Sequence, residues 1–202
     1  MRGYYFITDA SLSRAGNISD VKNAIAAGVK VVQYREKDKT TQEMLKEALT
    51  LKKICKKVIF LINDRLDLAQ AVDADGVHLG RYDLPYSIAR RLLGKKKIVG
   101  LTVNSLKQAI EAQKQGASYI GVSPIFATNT KLDAGRPVGI GLIKKIKRRI
   151  SIPVIAIGGI NLSNALEVVE AGSDGLCAIS AVVIAPDVRS EIEKFQSLFR
   201  KR

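Results

Sequence analysis

Short apolar runs, rich in β-branched residues, recur along the chain and are separated by longer stretches in which apolar residues return every three or four positions. Eight such runs read as strands, over residues 4–8, 29–34, 58–62, 76–79, 98–103, 119–122, 154–157 and 176–179. Several are continuously apolar, as in Pro153-Val154-Ile155-Ala156-Ile157, the pattern of a parallel strand covered on both faces. Between and after them the spacing predicts helices over 19–27, 41–57, 65–74, 85–94, 105–115, 140–149, 163–171 and 188–199. Ser19 is expected to cap the first and Gly28 to stop it. In the second, Met44, Leu45, Ala48, Leu51 and Ile54 make an apolar stripe with lysines opposite. Strands and helices that alternate without a linker-like change of composition predict an α/β protein, a single-domain (β/α)8 TIM barrel over residues 1–202. Its loops must be short, since about 200 residues is the lower end for this fold. An open doubly wound sheet is the structural alternative.

Composition narrows the class. With 202 residues, 47% hydrophobic and 26% charged, the chain has enough apolar material for one substantial core. It contains no run long enough to span a bilayer, and residues 1–10 read as a strand rather than a secretory leader, so cytoplasmic residence and no membrane partner are expected. Cys55 and Cys177 are far apart and belong to no metal-ligand spacing, so both are read as reduced core thiols. The net charge of +14 invites a nucleic-acid reading. Two observations oppose it: lysines cluster on helix-like stretches such as Lys52, Lys53, Lys56 and Lys57, and the aromatic residues lie mostly inside apolar runs instead of among the basic ones. Small phosphorylated substrates profit from the same positive field. They are the expected partners, with no nucleic acid, and a homo-oligomer is left open.

In a parallel barrel the active site lies at the C-terminal ends of the strands. There the chain places Gln33-Tyr34-Arg35-Glu36-Lys37-Asp38, Asn63-Asp64-Arg65, and His78-Leu79-Gly80-Arg81-Tyr82-Asp83. Thr102 and Asn104, the segment from Ser123 to Lys131, Gly158-Gly159 and Ser180 follow at later strand ends. Gly158-Gly159 together with Ala178-Ile179-Ser180 occupies the positions where such barrels commonly hold a phosphate through backbone N–H groups. The other reading of the glycine pair is a tight turn. Asp64 and Asp83, at neighbouring strand ends, suit one hard cation such as Mg2+, which takes one or two carboxylates and completes its shell with water and phosphate oxygens. For Asp83, before Leu84-Pro85, capping of the next helix is the competing role. Arg35, Lys37 and Lys131 add cations at the same rim, without enough nearby carboxylates to neutralise them. His78, the sole histidine, is open to reading as catalyst or as satisfied core residue.

Five stretches together resemble the thiamine phosphate synthase family: Val32-Gln33-Tyr34-Arg35-Glu36-Lys37, Leu61-Ile62-Asn63-Asp64-Arg65, Ala74-Asp75-Gly76-Val77-His78-Leu79-Gly80 with Asp83, Gly121-Val122-Ser123-Pro124-Ile125-Phe126 leading to Thr128-Asn129-Thr130-Lys131, and Ala156-Ile157-Gly158-Gly159-Ile160. They stand in the family's order and span nearly the whole chain. The resemblance implies that Gln33, Arg35, Lys37 and Asn63 hold a pyrimidine diphosphate, and that Asp64 and Asp83 ligate Mg2+. It implies that Thr102 stands beside the substrates where the family often has serine, and that Lys131 reaches the leaving pyrophosphate. Thr128 and Thr130 would line the sixth loop and the thiazole phosphate side as substrate-binding residues, and Gly159, Ile179 and Ser180 would bind a thiazole phosphate.

The implied reaction is dissociative. Diphosphate leaves 4-amino-5-hydroxymethyl-2-methylpyrimidine diphosphate, and the thiazole nitrogen captures the resulting cation. Arg35, Thr102 and Lys131 are the expected catalytic groups. The chain departs from the family at Ala127, where proline is frequent, at Asn129, and at Val103-Asn104, where histidine is frequent. The nearest rival is the related thiazole tautomerase, which has no use for a diphosphate or its metal. A non-catalytic thiamine-precursor binding regulator is a second. A phosphosugar isomerase, the third, would need an acid and base pair near the phosphate end, and the sequence shows no recognisable one.

Overall fold

The computed structural model describes residues 1–128, 130 and 135–200. Its strands are β1 (Gly3–Ile7), β2 (Val31–Tyr34), β3 (Ile59–Asn63), β4 (Gly76–Leu79), β5 (Ile98–Val103), β6 (Tyr119–Val122), β7 (Val154–Ile157) and β8 (Gly175–Cys177). Each pairs in parallel with its neighbour in sequence, and β8 returns to β1 through Gly3–Gly175 and Tyr4–Leu176, closing the barrel. The helices are α1 (Asn17–Ala26), α2 (Thr41–Ile54), α3 (Leu66–Ala71), α4 (Tyr86–Leu93), α5 (Leu106–Gln115), α6 (Ile140–Lys147), α7 (Ala165–Glu170), α8 (Ile179–Val183) and α9 (Val188–Arg200).

The pleat sorts the strand residues into two cores. Tyr4, Phe6, Val32, Phe60 and Ile62 face the helix layer, where they meet residues such as Val21, Ala48, Leu51 and Phe195. Tyr5, Ile7, Val31, Leu61, Tyr119, Ile155 and Cys177 fill the barrel interior. Both faces of the sheet are therefore dry, which is why the strands read as unbroken apolar runs. Both cysteines are buried free thiols.

Helix boundaries follow local chemistry. In α2, Thr40 accepts from the Glu43 amide while the Glu43 carboxylate accepts from the Thr40 amide, a reciprocal pair that satisfies two end donors. Ser105 caps α5 by accepting from the Gln108 amide, and Gly116 ends that helix in the left-handed conformation. Ser19 is not the cap of α1: the helix begins two residues earlier, because Gly16 at φ 82° makes the turn and leaves Ser19 inside. The second helix ends at Ile54, since Cys55 is buried and accepts from the Val58 amide in a tight turn; Lys56 and Lys57 lie beyond it. Ile179, expected at the end of the last strand, instead opens α8. That five-residue helix is too short to show a period, so nine helices stand among the described residues where eight were expected.

Gly141 lies exposed in the first turn of α6 with nothing near the position a Cβ would take. Gly141→Ala is expected to raise stability by roughly 0.5–1 kcal/mol through reduced chain entropy, or about 2 °C in Tm, by thermal unfolding. A lowered Tm would contradict the open space there.

Candidate active site

Two adjoining cavities lie at the C-terminal ends of the strands and share Arg35, Asp64, Gly80 and Thr130. The inner one also receives Gln33 from β2, Asn63 from β3, His78 from β4 and Thr102 from β5. Thr128, Gly159, Ile179 and Ser180 complete its far side. The outer one takes Lys37 and Asp83. Each described candidate residue thus reaches one of the two cavities. Lys131 lies outside the described residues, as does Asn129.

The strand-end cations are better neutralised than the sequence suggested. Arg35 Nη1 donates to Asp9 Oδ2 at 2.9 Å, and Asp9 is almost fully buried. Thr8 clasps the same residue: the Arg35 amide donates to Thr8 Oγ1 at 2.9 Å, and that hydroxyl donates to the Arg35 carbonyl at 3.0 Å. Lys37 Nζ donates to Asp64 Oδ2 at 2.5 Å. The expectation of too few carboxylates, which set Asp64 and Asp83 aside for a metal, is therefore corrected for Arg35, which has Asp9, while Lys37 meets one of those two aspartates. Glu36 supports the turn by accepting from the Lys37 and Asp38 amides, and Lys39 pairs with both Glu36 and Glu47. Asp9 and Ser11, at the end of β1, line the outer cavity.

Asp64 and Asp83 face one another. Asp83 is pushed up to about 6, by burial first and then by the hydrogen bond and charge of Asp64, against the pull of the Gly80 amide. For Asp64, burial opposes ionisation, but the bonds with Asp83 and Lys37 outweigh it and hold the group below the usual carboxylate range. Asp83 does not cap a helix: its Oδ2 accepts from the Gly80 amide at 2.6 Å, and α4 starts at Tyr86 with Pro85 at the cap position and no side-chain cap. Two acids so close disfavour joint ionisation, and a divalent cation relieves that repulsion. Among the described residues no group of three or more His, Cys, Asp or Glu converges on one point. This donor set fits an ion that draws the rest of its shell from water and substrate oxygens, as Mg2+ does, rather than a fully protein-bound metal.

At the phosphate end, Gly158 and Gly159 have φ of 102° and 64°. A Cβ on Gly159 would sit 2.3 Å from the Ala127 carbonyl oxygen, and one on Gly158 2.7 Å from Pro124 Cβ. The turn and the close approach of the sixth loop thus demand glycine by themselves, while Gly159 still lines the inner cavity. Tyr4 Oη donates to the Ala178 carbonyl at 3.0 Å, anchoring the segment that leads into α8.

The floor of the inner cavity is a buried polar chain. Gln33 Nε2 donates to Tyr5 Oη at 2.7 Å, and Tyr5 Oη lies 2.7 Å from Tyr119 Oη. Tyr119 Oη lies 2.8 Å from His78 Nδ1, and His78 Nε2 lies 2.9 Å from Thr102 Oγ1. His78 is thus a satisfied interior residue that also touches a cavity-lining hydroxyl. Two glycines make the space: a Cβ on Gly100 would lie 2.2 Å from the Tyr119 ring, and one on Gly121 would lie 3.2 Å from His78 Cε1.

Among the described residues no helix is long and apolar enough to cross a membrane. Comparison with known proteins agrees with the site. The profile of a family described as thiamine monophosphate synthase matches residues 4–182. The chain is 51% identical over 199 residues to the thiamine-phosphate synthase of Methanosarcina barkeri, covering 98% of this chain and 90% of that one. It is 52% identical over 199 residues to that of Methanosarcina mazei, covering 98% and 83%. A solved structure, thiamine phosphate pyrophosphorylase from Pyrococcus furiosus, matches with a TM-score of 0.90 at 39% identity over 98% of this chain and 96% of that one. A match of this length, on a barrel that gathers at one end the described residues among those the resemblance nominates, leaves one assignment: the chain belongs to the thiamine monophosphate synthase family of transferases.

Proposed function

We propose that residues 1–202 act as one catalytic domain that joins 4-amino-5-hydroxymethyl-2-methylpyrimidine diphosphate to a thiazole phosphate, forming thiamine phosphate and pyrophosphate. The observation that carries this reading is the convergence of the described candidate residues on two adjoining cavities. The inner cavity suits the pyrimidine, with Gln33 and Asn63 beside it, and the thiazole phosphate near Gly159, Ile179 and Ser180. The outer one, with Arg35, Lys37 and the two aspartates, suits the diphosphate.

Asp64 and Asp83 would hold Mg2+, which when bound supplies positive charge to the departing diphosphate. The methylene C–O bond breaks with its electron pair leaving on the diphosphate, and the thiazole nitrogen lone pair then forms the C–N bond, so no oxidant, reductant or protein nucleophile takes part. Arg35, aimed by Asp9 and Thr8, offers a preorganised guanidinium to that developing charge. Lys37 lines the same outer cavity, and Thr102 lines the inner cavity assigned to the pyrimidine. Thr128 and Thr130 border the inner cavity on the side of the sixth loop, where they help exclude water that would trap the cation. Lys131 is assigned to the leaving pyrophosphate on the family resemblance. Cytoplasmic residence and action on small molecules rather than nucleic acid belong to the same reading. A homo-oligomer is compatible with it but is not needed to assemble the described site.

The paired aspartates favour synthesis over thiazole tautomerisation or mere precursor binding, neither of which needs them, and the relatives named above carry the synthase name. Purified protein given both substrates is expected to form thiamine phosphate, by mass, together with stoichiometric pyrophosphate, and to stop when Mg2+ is chelated. Thiazole isomerisation without coupling, or coupling indifferent to chelation, would overturn this assignment.

A further inference from the structure

We infer that the buried chain Gln33–Tyr5–Tyr119–His78–Thr102 fixes the hydrogen-bond polarity of the pyrimidine pocket, with His78 a positioning residue that makes Thr102 a donor and selects a 4-aminopyrimidine over its 4-oxo counterpart. The inference rests on the proposed function in placing the pyrimidine against Gln33 and Thr102.

The polarity follows from counting protons. Gln33 turns its amide nitrogen to Tyr5, so Tyr5 Oη accepts there. A phenol has one proton, and burial pushes both Tyr5 and Tyr119 far above the ordinary range, so each keeps it. The other partner of Tyr5 Oη is Tyr119 Oη at 2.7 Å, and Tyr5 is 2% exposed. Leaving its proton without an acceptor there is costly, so Tyr5 donates to Tyr119. Tyr119 must then donate to His78 Nδ1. Nδ1 is consequently bare, the ring proton resides on Nε2, and Nε2 donates to Thr102 Oγ1. The Thr102 hydroxyl keeps its own proton for the cavity that it lines.

At the opposite end, Gln33 retains its carbonyl oxygen and one N–H. That edge matches an amino group beside a ring nitrogen, the same pairing by which a carboxamide reads adenine. A 4-oxo ring presents the inverse pattern and would require the Gln33 amide to turn over. Its oxygen would then face Tyr5, and every bond in the chain would have to reverse, ending with the imidazole proton on Nδ1. Selection at one end of the pocket is thereby tied to the tautomer of a residue 45 positions away in sequence.

Because the chain has one histidine, 15N-histidine labelling gives a single pair of ring signals. The wild type is expected to show a protonated Nε2 and a bare Nδ1. In Tyr119→Phe, which deletes the donor to Nδ1, the single tautomer should be lost. The preference for 4-amino- over 4-oxo-5-hydroxymethyl-2-methylpyrimidine, measured by calorimetry without diphosphate or metal, should fall about tenfold. Tyr5→Phe breaks the chain one bond earlier and should lower the preference likewise. A wild-type ring protonated on Nδ1, or on both nitrogens, overturns the inference; so does an unchanged preference in either folded variant. Wild-type protein that forms thiamine phosphate yet binds neither pyrimidine overturns this inference alone, whereas absence of coupling overturns the proposed function and this inference with it.

Discussion

Asp64→Asn is expected to leave the barrel folded and to lower the rate of thiamine phosphate formation by about a thousandfold. Asparagine is the informative replacement. Asp64 has φ 61°, a left-handed conformation that asparagine tolerates nearly as well as aspartate, whereas alanine would add backbone strain to the loss of charge. The amide keeps the size of the side chain while removing the anion that meets both Lys37 and Asp83. Steady-state rates over a wide range of Mg2+ concentration, together with thermal unfolding, separate the effects. Partial recovery at high Mg2+ with unchanged Tm supports metal ligation. A folded variant with normal turnover at ordinary Mg2+ would remove Asp64 from the reaction.

Gly100→Ala should act on stability instead. The added methyl would overlap the ring of Tyr119 on the neighbouring strand, where Tyr119 is wholly buried and held by Tyr5 and His78. Neither the strand backbone nor the ring has room to retreat, so the cost belongs at the upper end of overpacking, about 3 kcal/mol. For a chain of this length that corresponds to a fall of roughly 6–12 °C in Tm. Denaturant titration showing a loss below about 0.5 kcal/mol would mean that the interior is looser than these distances imply. Set against the gain expected for Gly141→Ala, the same substitution should change sign between the barrel interior and an exposed helix turn.

The alternation of strands and helices was legible because both faces of each strand are buried, leaving unmistakable apolar runs. The site was legible where several cavity residues fall on one strand end, as Gln33, Arg35 and Lys37 do. Asp9 is invisible in the sequence pattern, since its partner Arg35 comes from the adjacent strand and no local periodicity joins them. The end of β1 supplied no conspicuous cluster to draw attention to it. His78 is ambiguous in sequence for a related reason: its role depends on Tyr119 and Thr102, brought to it by two further strands. The chain pattern also concealed α8, one short turn of helix inside an apolar stretch. The misplaced cap at Ser19 shows a plausible hydroxyl losing to a glycine whose positive φ had already set the start of α1.

The strand order has a consequence for how the protein is assembled. Every strand pair but one joins sequence neighbours; the exception is the seam where β1 meets β8. There α9 ties the C-terminal part of the chain to β1. Gln196 accepts from the Tyr4 amide at 3.0 Å through Oε1 and donates to the Gly28 carbonyl at 3.1 Å, while Arg2 donates to the Phe199 carbonyl at 3.2 Å. Closing this seam incurs the largest loop entropy of any strand contact, so it belongs late in folding and opens early under stress. Since β1 carries Asp9 just beyond its end and β8 leads into Ile179 and Ser180, a breathing seam would disturb Arg35 and the phosphate end together, making the clasp formed by α9 a condition of catalytic order as well as of closure.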